Sequence, residues 1–179
     1  MISRRQFLTS FAAAGSSLLL VPSLAQAETG SEPLAIISAK DGGVAELSLY
    51  QLKRLFLGDQ IMGPAGELIP LNRETKGAER SGFDLTVLGM SQEVVARYWI
   101  DRRIRGQSGA PKTVEPASVI QNVVARLPRA VAYVRLREVS PDVQMVKIDG
   151  RKASDAGYPI RVTNGNTASM ATTHGQSRF

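Results

Sequence analysis

Leu47-Ser48-Leu49-Tyr50-Gln51-Leu52-Lys53-Arg54-Leu55-Phe56-Leu57-Gly58 is the clearest periodic segment of the chain. Leu49, Leu52, Leu55 and Phe56 fall at i, i+3, i+6 and i+7, one apolar stripe of an α-helix. Ser48 is placed to cap that helix by accepting a backbone N–H bond, and Gly58 to end it. Gln51, Lys53 and Arg54 lie off the stripe. Such a helix buries only one side, so it needs an apolar surface to cover.

Outward from this helix the chain supplies that surface. Upstream, the apolar run at 34–38 contains β-branched residues and reads as a buried strand, followed by a turn at Asp41-Gly42-Gly43. Residues 28–33 are polar and read as a loose lead-in. Downstream, 60–66 reads as a loop and Leu68-Ile69-Pro70-Leu71 as a second strand, whose proline argues for a strand end or an edge. A polar loop over 72–77 leads to a helix over 78–90. A further helix over 91–104 carries Val94, Val95, Tyr98 and Trp99. After a flexible connection at 106–112, Pro116 opens a helix with a stripe of Ile120, Val123, Val124 and Leu127, stopped by Pro128. Residues 130–134 and 143–148 read as two more strands. From about Thr163 the chain is polar and reads as a disordered tail. The order is strand, helix, strand, two helices, helix, strand, strand. It implies an α/β fold, a mixed β-sheet covered by helices.

Composition limits the chemistry. Of 179 residues, 43% are hydrophobic and 21% charged, which suits a globular domain rather than a disordered one. Cysteine is absent, so disulfides, thiolate metal sites and a catalytic thiol are excluded. The single histidine, His174, lies in the polar tail, and no nucleophile–base arrangement or motif-like carboxylate pair is present. These features predict a protein that is not an enzyme and carries no cofactor.

The first 27 residues read as an export signal. Arg4 and Arg5 precede an apolar stretch that is shorter than the roughly 20 residues needed to span a bilayer. Ala25-Gln26-Ala27 then offers small residues at a cleavage site. Ser3-Arg4-Arg5-Gln6-Phe7-Leu8 resembles a twin-arginine signal. Localisation in the periplasm is therefore expected, with no membrane insertion after cleavage. Cleavage takes away two arginines and no acid, so the net charge falls from +6 to +4. That balance favours anionic partners without being a nucleic-acid signature.

From residue 34 to 161 the chain resembles the phosphate-binding branch of the periplasmic substrate-binding proteins. The 47–58 segment is similar to that family's "Leu-Ser-x-x-Gln-Leu-x-x-Ile-Phe-x-Gly" helix. Arg80-x-x-Phe83 followed by Val87-Leu88-Gly89 is similar to the helix after its phosphate loop. Tyr98-Trp99, Gly106 and Ala110-Pro111 resemble its short soluble relatives. Pro128-Arg129-Ala130-Val131-Ala132-Tyr133-Val134 resembles its "Pro-Gly-Ala-Ile-Gly-Tyr-Val". The resemblance implies a single periplasmic-binding-protein-like lobe over 28–162, because the family's phosphate binders have two lobes and about 150 mature residues match only one. It also implies a small phosphate-like oxyanion as ligand, taken for transport or sensing.

The loop departs from the family pattern. "Gly-Ser-Gly-Thr-Arg" is here Lys76-Gly77-Ala78-Glu79-Arg80: the arginine is kept, both hydroxyls are lost, and a carboxylate at Glu79 would repel an anion. Candidate ligand residues are Arg80 as charge partner, Gly77 for backbone N–H contact, Lys76 and Arg73 as further cations, and Ser48 as a hydroxyl from another helix start. Against them stand an ordinary Arg80–Glu79 or Arg80–Asp84 surface pair and a plain N-cap at Ser48. Arg97, Arg102, Arg103, Arg105 and Lys112 read as a solvated face with Trp99 in the core. A periplasmic interaction protein, reusing the lobe as a scaffold for a protein partner, is the alternative.

Replacing Arg4 and Arg5 by lysine is expected to leave uncleaved precursor in the cytoplasm, as judged by fractionation and immunoblotting. Undiminished export of that variant would remove the twin-arginine assignment.

Overall fold

The structure, a computed structural model, describes residues 30–163. The signal segment, His174 and nearly all of the expected tail lie outside the described residues.

In chain order the elements are β1 (Ser31–Ala39), β2 (Glu46–Leu47), α1 (Leu49–Phe56), β3 (Met62–Gly63), β4 (Gly66–Glu67), β5 (Ile69–Asn72) and α2 (Ala78–Phe83). A π-helical turn (Asp84–Leu88), α3 (Gln92–Ile104), β6 (Lys112–Thr113), α4 (Ala117–Arg126) and β7 (Ala130–Arg135) follow. A 3₁₀ turn (Leu136–Glu138), β8 (Val143–Met145), β9 (Lys147–Ile148) and β10 (Arg161–Thr163) complete the described residues. The main sheet runs β10-β1-β7-β5-β6, with β8 also on β1. β1 is antiparallel to β7, β8 and β10, whereas β5 is parallel to both β6 and β7. The sheet is mixed, as expected.

Every residue from Ala130 to Val134 is fully buried, so β7 must be covered on both faces. Val131 and Tyr133 join one core with Leu52, Leu55, Phe56, Phe83, Val95 and Trp99. Ala130, Ala132 and Val134 join the other, with Ile37, Leu71, Ile120 and Val124. Thus α1, α2 and α3 cover one face and α4 covers the other. On the first face Tyr133 stacks on Phe83 at 4.0 Å between ring centroids.

Helix α1 forms as its stripe requires. Ser48 Oγ accepts from the Gln51 N–H at 3.0 Å, and Gln51 Oε1 accepts from the Ser48 N–H at 2.9 Å, a closed capping box. Gly58, at φ 89°, follows in the left-handed region that a side chain disfavours.

Several expectations need correction. Ser31, Glu32 and Pro33 are not a loose lead-in: they pair with Thr163, Val162 and Arg161, so Thr163 belongs to a strand rather than to a tail. Residues 143–148 divide at Val146 into β8 on β1 and β9 on β2. Within 60–67, β3 and β4 form a small hairpin. Pro70 pairs with Val131 of β7 and lies beyond the residues of β5 that pair with β6, the unpaired strand position that its proline suggests. The Ile69 N–H donates to Arg129 O on the β7 side and Asn72 O accepts from Val114 on the β6 side. By alternation Pro70 faces the β6 side, where its missing donor matches the end of that short strand. The helix over 78–90 is α-helical only to Phe83 and then widens. Gly82 permits this packing, because a Cβ there would stand 2.9 Å from Val162 Cβ on β10.

An ion network ties α2 to the sheet. Glu79 accepts from Arg135 Nε, Arg135 Nη1 donates to Glu32 Oε2 at 2.8 Å, and Arg137 Nη1 adds a bond to the same oxygen at 2.9 Å. Burial pushes the Glu79 carboxyl up. The hydrogen bond from Arg135, a backbone bond and the charges of Arg135 and Arg73 outweigh it, so the group sits below its usual range. The repulsion expected between Glu79 and an anion is therefore largely offset by Arg135.

Two outcomes follow. Ile120→Ala truncates a fully buried side chain and is expected to destabilise the fold by about 2–5 kcal/mol in chemical denaturation. A depressed carboxyl stabilises above its unfolded pKa of about 4.5 and loses that contribution as pH falls through the lower folded value. Glu79→Gln should therefore lose less thermal stability than the parent chain between pH 7 and pH 3.

Candidate anion site

Arg73 and Glu115 meet at the carboxyl ends of β5 and β6. From β5 the chain leaves toward α2 and α3 on one face, and from β6 toward α4 on the other. Adjacent parallel strands whose connections depart to opposite faces open a crevice at their carboxyl ends, the usual ligand position in α/β sheets. The loop 73–77, the end of β6 and the start of α3 surround it.

Arg73 is 8% exposed. Its Nε donates to Glu115 Oε1 at 2.7 Å, and its own N–H contacts the Tyr133 hydroxyl at 3.4 Å. Its Nη1 is buried and has no hydrogen-bond partner among the described residues. The Tyr133 hydroxyl in turn donates to Asn72 Oδ1 at 2.9 Å. Burial raises the Tyr133 pKa; the charge of Arg80, the Arg73 N–H and the charge of Arg73 oppose the rise, and the charge of Asp84 adds to it.

Arg80 lies one loop further on, 7% exposed. Its Nε donates to both oxygens of Asp84, each at 2.8 Å. This is the expected Arg80–Asp84 pair, but it is buried rather than on the surface: Asp84 is 1% exposed. The pair spans i to i+4 across the change from α2 to the π-helical turn, a feature frequent at functional sites. Burial raises the Asp84 pKa, and the charge and hydrogen bond of Arg80 hold it back only in part.

Arg80 and Asp84 line a cleft of about 170 Å³ with Thr75, Gln92, Trp99 and Thr113. Two threonines thus line the cleft although the loop motif lost its own hydroxyls. Gln92 fixes this wall, donating from Nε2 to Thr75 O and, at 2.6 Å, to Ser81 Oγ.

The remaining candidates separate. Lys76 lines a different hollow with Ser81, Gly82, Leu85 and Val162. Gly77 is the N-cap of α2, and its N–H is taken by Glu74 O at 3.0 Å. Ser48 uses its hydroxyl in the capping box and lines neither hollow. The structure therefore places Arg80 in the lining of the cleft, holds Arg73 beside it through its N–H on the Tyr133 hydroxyl and its guanidinium on Glu115, and leaves Lys76, Gly77 and Ser48 outside the cleft. Sequence reasoning missed Thr75, Thr113, Gln92 and Glu115. Only strand register joins them to the loop, and no local motif signals that.

Of the basic residues on α3, Arg102 is not simply solvated. Its Nη1 donates to Tyr98 Oη at 3.2 Å, its Nη2 to Ser108 Oγ at 3.1 Å, and its guanidinium lies over the Tyr98 and Trp99 rings. This holds the 106–111 connection against α3. That connection walls a second, larger cleft of about 570 Å³, lined mainly by aliphatic side chains such as Leu55, Leu68, Leu71, Val123 and Leu127.

No protein-family model and no curated protein matches the sequence. Solved structures do resemble it. A phosphate ABC transporter substrate-binding protein with bound phosphate from Clostridium perfringens aligns at TM-score 0.56 and 22% identity, over 69% of this chain and 47% of that one. An ABC-type phosphate transport receptor from Vibrio cholerae aligns at TM-score 0.56 and 16% identity, over 69% of this chain and 49% of that one. PstS from Borrelia burgdorferi aligns at TM-score 0.55 and 12% identity, over 74% of this chain and 55% of that one. These neighbours are transport receptors, not enzymes, and the chain spans about half their length. The chain has the fold of a single lobe of PstS-like phosphate-binding receptors.

Proposed function

We propose that this lobe captures a small phosphate-like oxyanion non-covalently in the crevice at the ends of β5 and β6, in the periplasm, for transport or sensing. The observation that carries this reading is the Arg73 Nη1 nitrogen, a buried cationic donor without an acceptor. Leaving such a donor unmet is costly, and an anionic oxygen is the partner that would satisfy it. The Arg80 guanidinium and the hydroxyls of Thr75 and Thr113 supply further donors nearby. Phosphate bound to the Clostridium perfringens neighbour supports the choice of anion.

Asp84 shapes the selectivity. Its carboxylate lines the cleft, so an oxyanion that carries a proton can donate to it, whereas fully ionised sulfate meets only repulsion. Each resident arginine already faces a carboxylate, which offsets much of its charge toward an anion. Binding is therefore weak.

The second reading, a scaffold that docks a protein partner, draws on a different observation: the larger aliphatic cleft and the exposed Ile100 and Ile104 on α3.

Isothermal calorimetry on the mature chain separates the two. Phosphate is expected to bind with an affinity weaker than micromolar, and sulfate more weakly still. The double variant Arg80→Gln/Asp84→Asn removes the pair without burying a lone charge. It should stay folded and lose about 10- to 100-fold in phosphate affinity, the worth of one charged hydrogen bond of about 1.5–3 kcal/mol. Unchanged phosphate affinity in that variant would place the anion elsewhere, and no heat with any oxyanion would favour the scaffold.

A further inference from the structure

Glu115 lies on the connection between β6 and α4, outside the loop and helix that hold Arg73 and Arg80. Strand register brings it to them. β5 and β6 pair Leu71 with Lys112 and Asn72 with Thr113, and the Val114 N–H extends the ladder to Asn72 O at 2.9 Å. The next residue then stands beside Arg73 and Glu74. There one oxygen, Glu115 Oε1, accepts two bonds: from Arg73 Nε at 2.7 Å and from the Glu74 N–H at 2.8 Å.

We propose that Glu115 is a positioning residue for the oxyanion site, an inference that rests on the function proposed above. The double bond at Oε1 locks the guanidinium and the loop backbone to one point, so Arg73 and the loop that continues to Arg80 keep a fixed relation. The pair does not use Arg73 up. A purely structural ion pair would leave the guanidinium satisfied, yet Nη1 stays buried without an acceptor among the described residues. The exposures agree with this division: the Arg73 side chain is 10% exposed and that of Glu115 32%, so the carboxylate approaches from the solvent side while the cation faces inward. Held this way, the guanidinium keeps one orientation, and preorganised donors bind more tightly than mobile ones.

The rival account makes Glu115 a competitor whose negative charge merely weakens anion binding. The two accounts predict opposite signs. Glu115→Gln keeps an oxygen acceptor for both bonds and removes the charge. Glu115→Ala removes both.

The test is calorimetric titration of the mature chain with inorganic phosphate for the parent, Glu115→Gln, Glu115→Ala, Arg73→Ala and the double variant Glu115→Ala/Arg73→Ala. Thermal melts check folding. The expected result is that Glu115→Gln binds at least as tightly as the parent and Glu115→Ala about tenfold or more weakly, the scale on which outer partners that orient binding groups act at metal sites. Adding Glu115→Ala to Arg73→Ala should cost less than Glu115→Ala costs alone, because the Arg73 contact is already gone and only the Glu74 N–H bond is left to lose. Equal or tighter binding by Glu115→Ala overturns the positioning role and leaves the oxyanion reading intact. A full, independent loss on top of Arg73→Ala overturns it as well. Absence of phosphate binding by both the parent and Glu115→Gln overturns the oxyanion reading itself.

Discussion

Strand β7 sets the constraint on which the rest of the lobe depends. Its five residues from Ala130 to Val134 are fully buried, with side chains alternating into two separate cores. A strand of that kind cannot face water on either side, so helices must cover both faces. One chain meets that demand only by sending successive connections to opposite faces. Where the β5 and β6 connections diverge, a crevice opens at the strand ends. The place of Arg73, Thr113 and Glu115 is thus a consequence of how β7 is buried, before any question of ligand arises.

Charge compensation is the second theme. Arg73 faces Glu115, Arg80 faces Asp84, and Arg135 faces Glu79 and Glu32. Buried ion pairs add little net stability against their desolvation cost, but removing one partner alone is strongly destabilising. The pairs hold the guanidinium groups in place without counter-ions from solvent. They also mean that an incoming anion adds its charge to a region already close to neutral. Under the proposed oxyanion reading, selectivity then depends on which donor nitrogens remain open and on whether the anion can donate back to Asp84, more than on summed positive charge.

The sequence made some of this legible and hid the rest, for identifiable physical reasons. The α1 stripe, its Ser48 cap, the buried strands at 34–38 and 130–134 and the Ile120 stripe all follow from local periodicity, and the structure has them. The short end strands were hidden because Ser31, Glu32, Arg161 and Thr163 are polar and gain their conformation only by pairing with each other across more than a hundred residues. The π-helical turn was hidden because Asp84 reads as an ordinary helical residue until its i,i+4 partner Arg80 is seen to be buried. At the site, local motif reading picked out Arg73 and Arg80. It also picked out Lys76, Gly77 and Ser48, which the structure places apart from the cleft. Thr75, Gln92, Thr113 and Glu115 come from three segments joined only by register and packing.

Burial divides the groups around the proposed site unevenly. A contact shielded from water acts in a low dielectric, and one open to solvent does not. Here the contacts on the open side are screened by solvent and salt, while those on the inner side are not. The asymmetry puts the burden on groups that are already buried, chiefly Arg73 and Arg80, and on the rigidity of what holds them. Gln92 clamps the Thr75 carbonyl from α3 and Glu115 clamps the Glu74 N–H from the connection after β6, so the loop is held from both sides by parts of the same lobe. Rigidity built within the lobe keeps those buried groups in one arrangement, and the ends of β5 and β6 are where this fold concentrates it.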